Sequence, residues 1–205
     1  MARSQSSPSN TLLEGPVSPE DVTPEVCDVL GRPAETNLLV ISYSDDPDAW
    51  LRNWRRTAGE RPAEFGFVNV GVTTRSTASA SSPSSTCRSA PTARSPSPDD
   101  TLPVAAAVSD PADLATVGVR ASEYLETWRE EDRRSVVLLD SLTALLDAVA
   151  LERAARFVHL LGGRIESVDG RGYFLADPAD HDDAALGVLR EHVDSVVTAD
   201  SSPPT

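Results

Sequence analysis

Residues Arg133–Leu146 read RRSVVLLDSLTALL. The aliphatic run Val136–Leu139 has strand length and no polar alternation, so it describes a strand covered on both faces. Asp140, followed by Ser141, closes it, and an aspartate at a strand end is a common N-cap for the next helix. The apolar stretch Leu142–Val149 behind them has the composition of a short helix. A strand with two buried faces needs similar strands beside it and helices above and below. The rest of the chain supplies both.

Upstream, Asp110-Pro111 signals a helix start, and Asp113 falls in the first turn. Leu114, Val117, Ala121, Leu125 and Trp128 then recur at helical spacing. Leu102–Val108, Phe65–Val70 and Asn37–Ser42 (NLLVIS) read as strands. Asp46-Pro47 opens a helix whose apolar stripe is Trp50, Leu51, Trp54 and Ala58. Val22, Val26, Val29 and Leu30 suggest another helix, stopped at Gly31. Downstream, Leu151, Ala154, Ala155, Val158 and Leu161 mark a helix expected to stop at Gly162-Gly163. Arg171–Ala176 reads as a strand, Asp182–His192 as a helix and Val193–Thr198 as a last strand. Strands alternating with helices imply α/β architecture, a mostly parallel sheet with helices on both faces. Residues 1–18 read as a disordered tail, 19–198 as one domain and 199–205 as a second tail. Within the domain, Ser76–Pro98 holds 9 Ser and 4 Pro without periodicity and reads as a disordered loop.

Composition narrows the chemistry. The chain of 205 residues carries 18 basic and 32 acidic side chains, a net charge of −14. All of the basic residues are arginine, and lysine is absent. Schiff-base catalysis and a P-loop each require a lysine, so both are excluded. No basic face can be assembled for a nucleic-acid backbone. The two cysteines, Cys27 and Cys87, cannot build a disulfide framework or a thiolate metal site. His159, His181 and His192 show no metal-ligand spacing, and Asp180, Asp182 and Asp183 around His181 read as a helix cap. No run is long enough to cross a bilayer, and the expectation is a soluble, cytoplasmic protein without membrane association. Excess aspartate, abundant acid and no lysine suit a cytoplasm of molar salt, where the Debye length is about 3 Å and surface carboxylates hardly repel.

An aliphatic strand ending in Asp140-Ser141 also has the form of a Walker B strand, whose acid holds Mg²⁺ beside a nucleotide. Together with the helix and charged turn before it, VVLLDSLTALL resembles the RecA superfamily, in particular its KaiC-like ATPases. Asn37–Asn53 (NLLVISYSDDPDAWLRN) is similar to the segment after that family's P-loop helix, and Phe157–Asp177 and Val193–Val197 to the elements after Walker B. The resemblance, to proteins of the type common in haloarchaea, spans Asn37–Thr198 without the Ser/Pro loop. It implies a three-layer RecA-like sheet.

The departures imply loss of the ATPase. No stretch reads G-x-x-x-x-G-K-[ST], and no glycine-rich turn precedes Asn37. The P-loop strand is therefore expected to be missing, or replaced by Asn37–Ser42. Where the family has an acidic pair, Ser44 and Asp45 stand. Asp140 is then a structural helix cap, a vestigial metal site with Ser141, or a working one. The expected function is a non-catalytic regulatory or scaffold domain acting through protein–protein contacts, with no cofactor, no bound metal and no enzyme activity. Two alternatives stand beside it: a nucleotide-binding subunit whose site a partner's P-loop completes, and a small-ligand sensory domain.

The charge balance generates the first prediction. Lowering KCl from molar to about 0.1 M restores repulsion among the carboxylates and should abolish much of the helical circular dichroism signal. A spectrum unchanged by dilution would reject adaptation to salt.

Overall fold

The structure, a computed structural model, describes residues 9–15, 33–43, 59–71, 106–131 and 133–198, together with helical residues 50, 52, 54 and 56. Strands β1 (Asn10–Glu14), β2 (Thr36–Ser42), β3 (Glu64–Val70), β4 (Ala106–Val108), β5 (Arg134–Leu139), β6 (Arg171–Ala176) and β7 (Ser195–Thr198) form one seven-stranded sheet. Its order is β4-β3-β2-β5-β6-β1-β7, and every pairing is parallel. Helices α1 (Leu114–Trp128), α2 (Leu142–Ala148), α3 (Leu151–Glu166) and α4 (Asp183–Arg190) connect the later strands. The α/β reading of the sequence is the observed architecture.

Chain order and sheet order together explain the layers. From β4 the chain crosses to β5, β6 and β7, always toward one edge; from β1 to β2, β3 and β4 it runs the other way. Right-handed crossovers place their helices on one face for one direction and on the opposite face for the other. Helices α1 to α4 lie in the first group. They bury one face, where Leu39 and Ile41 of β2 and Val137 and Leu139 of β5 meet α1, α2 and α3. Trp50 and Trp54, in the β2–β3 connection, cover the other face against Leu38, Val40, Val136 and Leu138. Their indoles stack with centroids 5.4 Å apart. Successive strand residues alternate between the two cores, as a period of two requires.

The helices follow their stripes. Leu114, Val117, Ala121, Leu125 and Trp128 are the buried residues of α1. Its N-cap is Asp113, whose carboxylate accepts from the Thr116 N–H at 3.1 Å, while Asp110-Pro111 forms the turn before it. Asp182 caps α4 by accepting from the Ala185 N–H at 2.7 Å.

Two expectations are corrected. First, α3 does not stop at Gly162-Gly163 but continues to Glu166. A Cβ at Gly162 would sit 3.1 Å from the Asn10 amide, so this glycine admits β1 against the helix instead of ending it. Second, residues 10–14 belong to no tail. They form β1, inserted between β6 and β7 with all five residues buried. The sheet's first strand is thus present, and Asn37–Ser42 does not replace it: that segment is β2, on the far side of β5. Backbone N–H groups of Ser9 and Asn10 donate to Asp194 at 3.1 and 2.9 Å, and the Thr11 and Ser195 hydroxyls meet at 2.9 Å. The expected helix at Val22–Leu30, Asp46-Pro47 and the Ser76–Pro98 loop lie outside the described residues.

Leu12 is fully buried on the helix-covered face. Leu12→Ala should cost about 2–5 kcal/mol in urea unfolding. Removing residues 1–15 should abolish the cooperative transition, because β7 then loses its partner strand. Near-parental unfolding of the shortened chain would show that β1 is dispensable.

Candidate functional site

In open parallel sheets, ligands bind outside the carboxyl ends of strands, where neighbouring strands send their connections in opposite directions. β2 leads away to β3 and β5 leads away to β6, so the crevice between them is such a point. Asp140 stands there, 7% exposed. Its N–H extends the ladder to the Ile41 carbonyl at 3.1 Å, and its Oδ1 lies 3.4 Å from the Tyr43 N–H. The carboxylate is thereby aimed at the end of β2. The cap of α2 is its neighbour Ser141, whose Oγ accepts from the Ala144 N–H at 3.0 Å. The capping role considered for Asp140 thus belongs to Ser141. In the first turn of α2, Thr143 Oγ1 meets His181 Nε2 at 2.9 Å. The buried Tyr43 hydroxyl has no partner among the described residues, and burial pushes its pKa well above the ordinary tyrosine range.

A second reversal lies between β6 and β1. β1 ends at Glu14, a residue 5% exposed, and Gly15 turns away with its N–H on the Ala176 carbonyl at 3.0 Å. Arg190, at the end of α4, grips this carboxylate with both prongs: Nε to Oε1 at 2.7 Å and a terminal nitrogen to Oε2 at 3.0 Å. Its hydrogen bond to Glu14 raises the guanidinium pKa. Bidentate pairing of this kind combines charge with fixed geometry.

The sequence reading did not find this pair. Glu14 fell in the presumed tail, although the buried pair Leu12-Leu13 ahead of a Gly15-Pro16 turn signal marks a strand end. Arg190 lies within the expected helix Asp182–His192, and nothing in the sequence singles it out. Ser44 and Asp45 lie outside the described residues. Among the described residues no group of three or more His, Cys, Asp and Glu is placed to hold a metal ion. No helix among them is long and apolar enough to cross a membrane.

Elsewhere, α1 and α3 flank a groove of about 600 Å³ lined by Leu114, Gly118, Val119, Phe157, Leu160 and Leu161. Val119 and Leu160 are 56% and 60% exposed there, unusual for large apolar side chains. Arg164 crosses one end to Glu126 at 2.7 Å.

A family profile, described as "Family of unknown function (DUF7504)", matches residues 8–199. The chain belongs to this family. The DUF7504 match begins ahead of β1 and ends beyond β7, so it takes in the whole sheet. No curated protein matches the sequence significantly. Among solved structures, an uncharacterized protein from Pyrococcus horikoshii, crystallised in complex with an unknown peptide, is similar with a TM-score of 0.61. The match covers 95% of this chain and 78% of that one at 13% identity, a likeness of fold.

The cap assignment is directly testable. Ser141→Ala should cost about 0.5–2 kcal/mol in denaturant melts, whereas Ser141→Asp should be nearly neutral because aspartate caps as well as serine. Equal losses in the two variants would show that the hydroxyl does something other than capping.

Proposed function

We propose that the chain is a RecA/KaiC-like domain that retains the sheet, has lost nucleotide phosphate binding, and acts through contacts with other proteins in a regulatory or scaffolding role. The observation that carries this reading is the Glu14–Arg190 pair at the carboxyl end of β1. In P-loop proteins a strand leads into a glycine-rich loop whose N–H groups and lysine hold the phosphates. Here the first strand ends on a buried carboxylate paired to a guanidinium, a neutralised group that offers a phosphate no free positive charge. The guanidinium beside it is already engaged, and the chain has no lysine. Asp140 then has no triphosphate beside which to hold magnesium.

Contact with other proteins is supported by the α1–α3 groove, where Val119 and Leu160 are exposed. The Pyrococcus horikoshii protein of similar fold was crystallised with a peptide, which makes a polypeptide the first partner to test. The acidic, lysine-free composition supports work in a salt-rich cytoplasm. One observation favours a second reading: Asp140 is buried and aimed at the switch-point crevice, as a magnesium ligand completed by a partner's P-loop would be.

Calorimetry at high KCl should show no Mg·ATP binding by the isolated chain tighter than millimolar, in the parent or in Asp140→Asn. Micromolar binding that disappears in Asp140→Asn would overturn the non-catalytic reading. Partners recovered from a high-salt lysate should bind the chain equally with and without ATP. Dependence on ATP and on Asp140 would favour the shared nucleotide site.

A further inference from the structure

Two of the chain's three histidines converge. His159 stands on α3 and His192 just beyond α4, with ring centroids 5.6 Å apart and ring planes at 57°. His159 is exposed and His192 half-buried, so the pair opens to solvent. Among the described residues no hydrogen bond engages either ring, whereas His181 is held by Thr143. Two imidazoles from separate elements thus lie side by side with their ring nitrogens not engaged.

We propose that His159 and His192 form an open binding site for a borderline divalent transition metal of the zinc, nickel and copper class, with water in the remaining positions. Two imidazoles each about 2.0–2.1 Å from one zinc ion have ring centroids roughly 5 Å apart at a tetrahedral angle. The observed separation of 5.6 Å is close to this, and the exposed His159 side chain has room to turn. Imidazole nitrogen selects this metal class, whereas magnesium and calcium take oxygen ligands. That selectivity matters in a chain with 32 carboxylates, which hard cations occupy without touching the histidines. No third protein ligand completes a metal-binding group among the described residues. The site is accordingly open and weaker than a closed structural zinc site. A bound ion would tie α3 to the end of α4 and so brace the β1–β7 edge.

The test is calorimetry of the full chain with ZnCl2, and separately with CuCl2, in excess MgCl2. Parent, His159→Ala, His192→Ala and His181→Ala forms are compared, with circular dichroism of each. One ion per parent chain is expected, with affinity lowered roughly tenfold or more by His159→Ala and by His192→Ala and unchanged by His181→Ala. Failure of the parent to bind, or undiminished binding by His159→Ala and His192→Ala, overturns the proposal. Should either variant not fold, electron paramagnetic resonance of the copper-loaded parent decides. Hyperfine coupling to two nitrogens is expected, and an all-oxygen signature refutes the site.

Discussion

Everything in this protein depends on the double burial of its two central strands. From Leu38 to Ile41 in β2 and from Val136 to Leu139 in β5, no side chain is more than 1% exposed. Such strands cannot exist at a surface, so the chain must cover them twice. It does so by reversing its direction of travel across the sheet. The reversal divides the covering elements between two faces and leaves a crevice between β2 and β5, where Asp140 sits. The layers and the candidate site are consequences of one packing requirement.

The central elements were legible because their signals are local. Four aliphatics ending in Asp140, and the stripe from Leu114 to Trp128, carry their burial in their spacing. β1 was not legible in this way. It is short, sits among Ser and Pro, and is buried only because β6 and β7 close on it. Gly162-Gly163 misled for a related reason. Glycine ends a helix by default, but here one of the two leaves room for Asn10, a contact that exists only after β1 has docked. The candidate site divides along the same line. Asp140 and Ser141 were found from sequence, though the cap belongs to the second of them. Glu14, Arg190, and His159 with His192 were brought together by tertiary structure alone.

Glu14 and Asp140 mark the two carboxyl-end positions at which an open parallel sheet performs chemistry, and the fold treats them differently. One carboxylate is locked to a guanidinium and so gives the strand end a fixed, neutralised charge. The other is directed at the backbone of a neighbouring strand. A scaffold of this class can retain its architecture while its charges are reassigned to internal pairing, because the sheet is held by apolar layers and not by the residues at its rim.

The placement of β1 also bears on how the protein comes to be made. Asn10 and Thr11 find their partners at Asp194 and Ser195, separations of 184 residues in each case. Among the described strands β1 comes first in the chain but is among the last to be paired, since its slot lies between β6 and β7. Contacts so distant along the chain slow folding and keep an unpaired strand exposed meanwhile. The middle of the sheet, β2 to β5, can assemble first, and β1 and β7 then join to finish it.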